Sequence, residues 1–535
     1  MAGDLIIAPD EEAMAKVGGW LRRHGTLRHR VAVATPTAIR AGLRQAATAD
    51  TLAAAMARVD PALSARRTFA PRQGAILLAG MLAMAAALVL EPLLAAAPLW
   101  LALAAFFVAV SFIRFAAAVD MSRPRPAPAP PPPVEEERPI YTVLIPLRHE
   151  AGMIAQIVAS IDRIAWPRDR LDVKLVIDAD DTATLAVARA HAAAPPYELV
   201  EVPAGGPRTK PMALQYALAF ARGAFVTVYD AEDRPHPGQL AEAWQRFRTA
   251  GGALACLQAP LLVDNDGEGR IAALFAIEYA ALFDGLLPAL AERGLPLPLG
   301  GTSNHFRRDA LERVGGWDPY NVTEDADLGI RLARFQYDVG TLTLPTREAA
   351  PTDLRTWLRQ RTRWMKGWMQ TWLVHMRRPV ALWRSIGPRR FLGFNALGLG
   401  MVVSALAHPF FIATPVWILL DPTSPWHGGG TLPAVFAGLT IFNLAFGYTA
   451  MWALSTRALA VRGRHRLMPL VLLLPAYWLL VGIATARAIG ELLLAPHRWN
   501  KTPHVASRVA ARPSERDRPL ADEAVRAAAR ARGTA

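Results

Sequence analysis

Tyr141-Thr142-Val143-Leu144-Ile145-Pro146-Leu147 is a short apolar run rich in β-branched residues, and the chain turns polar directly after it, at Arg148-His149-Glu150. A helical pattern follows from Ile154 to Ile164. A second strand-like run, Leu171 to Ile177, ends on Asp178-Ala179-Asp180-Asp181. Helical sequence from about Thr182 to Ala193, a strand at Tyr197 to Val202, a helix at Lys210 to Ala221 and a strand from Ala224 to Tyr229 complete the series. Strands alternating with helices predict a parallel sheet with helices on both faces. Ligands of such sheets bind at the carboxyl ends of the strands. Asp178, Asp180, Asp181, Asp230, Glu232 and Asp233 all fall on that edge, so the acids collect where a ligand is expected.

Working outward, the α/β stretch lies between two blocks of membrane-length apolar sequence. The chain has 535 residues, too many for one ordinary domain, and 53% of them are hydrophobic. Its net charge of +14 fits nucleic acid, anionic lipid or a phosphorylated substrate. Apolar runs near 20 residues favour lipid and make a nucleic-acid partner the poorest of the three. A single cysteine, Cys256, excludes an internal disulfide and a metal site built on cysteine clusters. The first residues lack a basic segment followed by an apolar core, so they do not read as a cleaved signal peptide.

From Gly74 to about Val119 the sequence is almost wholly apolar and predicts two crossings, near 74–90 and 96–118, with Glu91-Pro92 as the turn. Arg114 is the one charge inside it, placed to snorkel to the interface. Arginines on both flanks put both ends in the cytoplasm. Pro124 to Pro133 reads as a stiff spacer. Upstream, Thr35-Pro36-Thr37 predicts a helix start.

The individual acids have two readings each. Asp230-Ala231-Glu232 can hold one hard divalent cation, or it is a solvated turn. Asp180-Asp181 before Thr182 is a ligand contact or a helix N-cap. Lys210 is a point charge for phosphate or an exposed loop lysine. Gly300-Gly301-Thr302 is a glycine-rich turn that allows close backbone approach. Thr323-Glu324-Asp325 opens a helix from Ala326 to Arg334, where Asp325 favours the dipole or acts as a base. Gln360-Arg361-Thr362-Arg363-Trp364 sits in a further helix, on which Trp357, Trp364 and Trp368 fall on one face. That face is an interfacial belt at the membrane, or it places Arg363 on a departing diphosphate and Trp364 against a sugar ring.

As an ordered set, Asp180-Asp181, Lys210, Asp230-Ala231-Glu232, Thr323-Glu324-Asp325 and Gln360-Arg361-Thr362-Arg363-Trp364 resemble the family 2 glycosyltransferases, and within them the processive cellulose synthase-like group. The resemblance covers about 139–375 and the flanking helices. It implies an α/β GT-A (Rossmann-like) cytoplasmic catalytic domain embedded between α-helical transmembrane segments, and an inverting single displacement. It implies Asp325 as the general base, with Asp230 and Glu232 on Mg²⁺ or Mn²⁺ at the donor diphosphate. Asp180 contacts the nucleotide base, with Asp178 and Asp181 as rivals, and Lys210 and Arg363 complete the donor site. Gln360, Trp364 and Glu324 take the acceptor. The family's usual D-x-D stands here as Asp230-Ala231-Glu232, which puts metal geometry in question more than the class. The expected activity is synthesis and export of a β-linked polysaccharide from a nucleotide sugar, with UDP-glucose as the expected donor, at a bacterial inner membrane. Periplasmic or outer-membrane export subunits are the implied partners. The rival readings are single addition to a lipid carrier and an inactive receptor of the same fold.

The C-terminal block predicts crossings at 391–420, 432–454 and 468–484. Arg457, Arg462, Arg464 and Arg466 put their link in the cytoplasm, and 421–431 has no Lys or Arg, which suits the outside. Three crossings leave the C-terminus outside, whereas its arginine-rich tail asks for the inside. A re-entrant segment or a split of 391–420 would remove the conflict, for five or six crossings in all. Trp499, Thr502 and His504 loosely resemble the gating loop of bacterial cellulose synthase, and are otherwise a tryptophan-anchored helix end. Val17 to Gly25 loosely resembles a small domain of secretion ATPases, some members of which bind cyclic dinucleotides. The expected division is therefore 1–73 soluble N-terminal domain, 74–119 hairpin, 120–138 linker, 139–375 catalytic domain, 376–496 membrane and interfacial helices, and 497–535 basic tail.

Overall fold

The computed structural model describes residues 5–7, 11–24, 31–33, 48–90, 92–123, 138–192, 195–420 and 431–497. The helix start at Thr35, the proline spacer, Trp499, Thr502, His504 and the basic tail lie outside the described residues. So does Gly25 of the short N-terminal motif, whose Val17 to Arg23 lie on the helix Glu11–Arg23.

The strands are β1 (Leu5–Ile7), β2 (Val31–Val33), β3 (Tyr141–Leu147), β4 (Leu171–Asp178), β5 (Tyr197–Val202), β6 (Phe225–Val228), β7 (Arg234–Pro235), β8 (Leu254–Gln258), β9 (Leu261–Val263), β10 (Asn304–Arg307), β11 (Asp338–Thr341) and β12 (Thr346–Glu348). A seven-stranded sheet runs in the order β11-β8-β10-β6-β3-β4-β5. The predicted strands β3, β4, β5 and β6 are parallel, in a register that sets Tyr141 opposite both Leu171 and Phe225. Their apolar runs are buried on both faces, as a sheet covered by helices requires.

The sheet is mixed, which corrects the all-parallel expectation. β10 runs antiparallel between β6 and β8. A reversed strand starts where its neighbours end, so the turn Gly300 to Ser303 reaches the carboxyl edge from the other direction. The Ser303 amide there donates to the Val228 carbonyl at 2.8 Å.

Among the described residues, five helical stretches are long and apolar enough to cross a membrane: Pro98–Asp120, Arg270–Glu292, Pro379–Trp417, Ala434–Val461 and His465–Leu494. The preceding helix Pro71–Leu90 packs against Pro92–Asp120 and turns Ile76, Leu78 and Met81 outward. A run of exposed aliphatic side chains on that scale suits lipid and not water.

Arg270–Glu292 was not anticipated from the sequence. Unlike the others it is mostly buried, and it joins the α/β domain to the bundle. Its middle, Ala281–Leu286, is a π-helical stretch, and a Cβ on Gly285 would come within 2.5 Å of Leu454. Asp284 pairs with Arg462, and Arg293 pairs with Asp120 at 2.5 Å.

The helix Pro379–Leu420 is broken at Gly387, whose φ of 77° no helix accommodates, directly before Pro388. A short helix thus precedes the long one, upstream of the expected 391 boundary. Residues 465–494 form a short 3-10 stretch followed by the helix Leu474–Leu494, and they are tied to the domain near both ends. Arg464 and Arg466 meet Asp266 at 2.7 and 2.5 Å, Tyr477 bonds Glu278 at 2.8 Å, and Glu491 meets Lys366 at 3.2 Å. Gln370 donates to the Pro496 carbonyl at 2.8 Å. Every one of those partners belongs to the α/β domain or its attached helices. Both ends of the segment are thus tied to the α/β domain or its attached helices.

At the other end of the chain, the helix Thr48–Ala57 packs on the helix Lys210–Leu218, with Leu52 and Ala55 entering the same core as Ala213. Ser64 Oγ and the Ala65 amide donate to the Asp318 carboxylate at 2.9 and 2.6 Å. Residues from 48 onward therefore cover the α/β domain as part of it.

Close packing gives a test. Gly329 lies in the helix Glu324–Arg334, and a Cβ there would sit 2.2 Å from the Leu297 carbonyl oxygen. At an open helix site Gly→Ala stabilises by about 1 kcal/mol. Here Gly329→Ala is expected to lower the thermal unfolding midpoint in detergent. A raised midpoint would show that the 297 loop yields without cost.

Candidate active site

One cavity of about 400 Å³ opens at the carboxyl edge of the sheet. Its walls bring together residues from seven separate elements. Arg148 follows β3, Asp178 ends β4, and Asp230 and Glu232 follow β6. Thr302 precedes β10, Lys210 starts one helix and Glu324 and Asp325 start another, while Gln360, Arg363 and Trp364 come from the helix Leu354–His375.

Lys210 is at the centre. Its Nζ lies 2.5 Å from Asp230 Oδ1 and donates to the Gly301 carbonyl at 2.6 Å. Burial works against its charge, but Asp230 first and then Glu324 outweigh that and hold it protonated. It is thus neither an exposed lysine nor a free phosphate clamp, because carboxylates already surround it. The Thr209 hydroxyl accepts from the Met212 amide at 3.4 Å and caps the helix that carries Lys210.

Asp233 is set back from the cavity wall. It is fully buried, and its Oδ2 accepts from the Asp230 amide at 2.7 Å and from the Thr302 hydroxyl. It braces the loop that presents Asp230 and Glu232. Burial, then the charges of Asp230 and Glu232, push its carboxyl well above the usual range.

The three rivals for the nucleotide separate cleanly. Asp178 lines the cavity, with Arg148 Nη1 at 2.5 Å from its Oδ2. Asp180 points outward, pairs with Arg208 and is absent from the wall. Asp181 is used as the N-cap of the helix Thr182–His191, accepting from the Thr184 and His149 amides at 3.3 and 2.5 Å. The geometry therefore favours Asp178 over Asp180 and Asp181 as the cavity group. Arg148 carries no role in the sequence reading, although its place just past β3 is the signal that marks Asp178 and Asp230.

Glu324 is buried and Asp325 faces the cavity. Burial and then the Asp325 charge push Glu324 up to about 7, against the pull of Lys210 and Arg363. Asp325 is raised as well, mainly by burial. The Ala326 amide, which donates to its Oδ1 at 2.8 Å, opposes that rise together with Lys210 and Arg363. The pair thus holds its protons more tightly than ordinary surface acids.

The tryptophans of the helix Leu354–His375 at 357, 364 and 368 pack inward and do not form an exposed belt. Trp357 is fully buried and donates from Nε1 to the Tyr477 hydroxyl at 2.8 Å. Arg361 forks onto Glu278 at 2.8 and 2.5 Å, and its guanidinium lies 4.7 Å from the Trp364 ring centre. Tyr279 stacks near the same ring at 6.3 Å. Trp364 and Trp368 face the cavity together with Gln360 and Arg363.

The metal question can be put to the residues. Among the described residues no group of three or more His, Cys, Asp or Glu side chains is set to enclose an ion. Asp230 and Glu232 supply two hard carboxylates at the wall, and a Mg²⁺ or Mn²⁺ site completed by substrate phosphates and water needs no more than that from protein. The donor set fits such an ion.

A family-level sequence description, "Glycosyltransferase like family 2", matches residues 138–367. Residues 138–367 form a family 2 glycosyltransferase domain. The glycosyltransferase domain is 28% identical over 250 residues to a β-monoglucosyldiacylglycerol synthase of Synechocystis sp., covering 45% of this chain and 50% of that protein. It is 26% identical over 241 residues to a probable glycosyltransferase, YdaM, of Bacillus subtilis, covering 43% and 56%. The chain thus spans about half the length of the curated relatives it matches. Among solved structures, a mannosyltransferase of Pyrobaculum calidifontis in complex with GDP-Man and Mn²⁺ aligns with a TM-score of 0.38 at 21% identity, over 64% of this chain and 99% of that one.

Gly367 offers a test of how the glycosyltransferase holds its acids. A Cβ there would sit 2.1 Å from Thr323 Oγ1, beside Glu324 and Asp325. Misplacing a reacting group by about 1 Å can cost roughly a hundredfold in rate. Gly367→Ala is expected to cut turnover by at least about tenfold with little change in donor KM. Unaltered turnover would show that the 323–325 segment tolerates displacement.

Proposed function

We propose that the protein transfers a sugar from a nucleotide-diphosphate donor to a hydroxyl on a membrane lipid, by a single inverting displacement. One observation carries this reading. The cavity that holds Asp178, Asp230, Glu232 and Asp325 continues among apolar side chains of three membrane-type helices: Val110 and Ile113, Leu397 and Met401, and Met451 and Leu454. A sugar polymer asks for a polar or aromatic path, whereas aliphatic walls suit acyl or prenyl chains. The lipid-synthesising name of the Synechocystis relative points the same way.

In this scheme Arg148 and Asp178 face the nucleotide. Asp230 and Glu232 hold Mg²⁺ or Mn²⁺, which when bound offsets the negative charge of the departing diphosphate. Arg363 adds positive charge on the same side. Asp325 takes the proton of the attacking hydroxyl, so it must be ionised, and Glu324 and Lys210 set the field in which it does so. Gln360 and Trp364 position the acceptor head. Chelation is expected to abolish turnover and added Mn²⁺ to restore it.

The sign of the pH dependence follows from the raised carboxyls. Protonation silences the base, so kcat/KM falls as pH drops, with the limb shifted above the ordinary aspartate range. Glu324→Gln removes a like charge from beside Asp325 and should move the acid limb to lower pH. A limb that stays in place would separate Glu324 from the base.

The second reading is processive polymer synthesis. The Gln360 to Trp364 motif and the tryptophans at 364 and 368 favour it. Membranes containing the protein, Mn²⁺ and radiolabelled UDP-glucose or GDP-mannose decide between the two, beside an Asp325→Asn control. Label in the organic phase that vanishes in the control is the expected result. Insoluble label would establish the polymer reading, and no turnover of either donor would overturn both for these sugars.

A further inference from the structure

We propose that Arg114 is the binding site for a lipid phosphate, so that the acceptor is an anionic lipid carrying a free hydroxyl as well as its phosphate. This rests on the lipid-acceptor reading and narrows it. Arg114 lies on the helix Pro92–Asp120, one residue from Ile113, and both line the cavity that reaches the glycosyltransferase centre. It does not snorkel outward. Its guanidinium sits 4.4 Å from the ring centre of Trp478, which lines the same cavity.

Among the described residues no carboxylate pairs with Arg114. Glu278 is an acid whose charge it feels, and that carboxylate is engaged by both arms of Arg361 and by the Tyr477 hydroxyl. A face-on ring is a weak substitute for an anion, and an arginine within apolar helices is costly unless something completes it. Such residues commonly mark the path of a charged or polar substrate.

Ser404 adds a polar group to the cavity wall, and His408 packs near Trp478 without lining the cavity. Ser404 is buried, lines the cavity, and its hydroxyl has no hydrogen-bond partner. His408, one helical turn on, shares a hydrogen bond of 2.8 Å with the Tyr448 hydroxyl through Nε2, while its Nδ1 is buried without a partner. The His408 ring lies 6.4 Å from that of Trp478. An aliphatic cavity wall thus carries one strongly cationic donor set and at least one neutral donor. The guanidinium fork matches phosphate oxygens in geometry and charge. The surrounding Val110, Ile113, Met451 and Val481 match hydrocarbon. A single molecule satisfying both is a lipid with a phosphate at its head. The hydroxyl requirement comes from the other end, where Asp325 serves as base.

The test uses the full chain in nanodiscs and reads binding and turnover separately. Native mass spectrometry measures retention of three probes: short-chain phosphatidylglycerol, short-chain diacylglycerol and a short isoprenoid phosphate. KM and kcat are then measured for each as acceptor. The wild type is expected to retain and use phosphatidylglycerol with at least about tenfold preference over diacylglycerol, the scale of one charge-assisted hydrogen-bonded contact. Arg114→Gln should erase that preference through KM. Arg114→Lys should keep part of it, which separates loss of charge from loss of fold. Preference for the isoprenoid phosphate, which has no free hydroxyl beside its phosphate, would keep the phosphate site at Arg114 and overturn the hydroxyl-bearing acceptor. Equal retention of neutral and anionic lipid by the wild type, or a preference that survives in Arg114→Gln, would overturn the proposal. So would competition by millimolar inorganic phosphate alone, which marks a soluble-anion site. Polymer formation with no lipid product would sink the acceptor reading, while the retention arm would still decide whether Arg114 binds lipid phosphate.

Discussion

Lys210 makes this site possible. Asp230, Glu324 and Asp325 surround one low-dielectric cavity, and like charges at that range cannot all remain ionised without a compensating cation. Lys210 supplies it from the start of a capped helix, and Arg363 supplies a second from the helix that covers the site. The balance is incomplete, so Glu324 and Asp325 keep raised pKa values. A base that grips its proton somewhat more tightly than a surface acid is also a stronger base when it is ionised. The same lysine bonds the Gly301 carbonyl and so fixes the glycine turn before β10 against the loop after β6. Charge compensation and cavity shape thus depend on one side chain.

The second dependence is mechanical. The glycosyltransferase domain does not hang from the bundle by a linker. It is joined through Arg270–Glu292, through the Arg361, Glu278, Tyr477 and Trp357 network, and through Arg462, Arg464 and Arg466 on Asp284 and Asp266. Arg361–Glu278 lies within the domain, and the other pairs cross from it to the C-terminal helices. Paired and hydrogen-bonded charges buried at a join confer direction more than stability, since their desolvation offsets much of the attraction. Here they fix the depth at which the cavity passes from carboxylates to aliphatic walls. The segment 465–494 is held to the domain near both ends, through Arg464 and Arg466 on Asp266 and through Glu491 on Lys366.

Much of this was legible in the sequence. Period and composition identified β3 to β6, and the carboxyl-edge rule placed Asp178, Asp230 and Glu232. The ordered motifs pointed to Lys210, Asp325 and the Gln360 to Trp364 helix, and apolar length anticipated paired apolar helices over 74–119. These features are local: a strand's β-branched run or a helix's apolar length is carried by adjacent residues. The choice among Asp178, Asp180 and Asp181 was not local. Each follows the same strand by a few residues, and only the backbone turn decides that one faces the cavity, one faces solvent and one caps a helix.

The remaining decisions belong to the tertiary structure for the same reason. Asp233 braces a loop because Thr302, 69 residues away, comes to lie beside it. Arg270–Glu292 reads as ordinary apolar sequence inside a soluble domain until Leu454 and Met121 pack on its π-helical turn. Arg114 looks like a charge near a helix end, free to reach water, and only the packing of the 474–494 helix sets Trp478 over it and turns it into a cavity wall. Sequence determined the elements, their polarity and the chemical groups at their ends, because those follow from neighbours along the chain. Which of those groups meet across distances of a hundred residues or more was decided by packing, where a few ångströms separate a ligand contact from a cap.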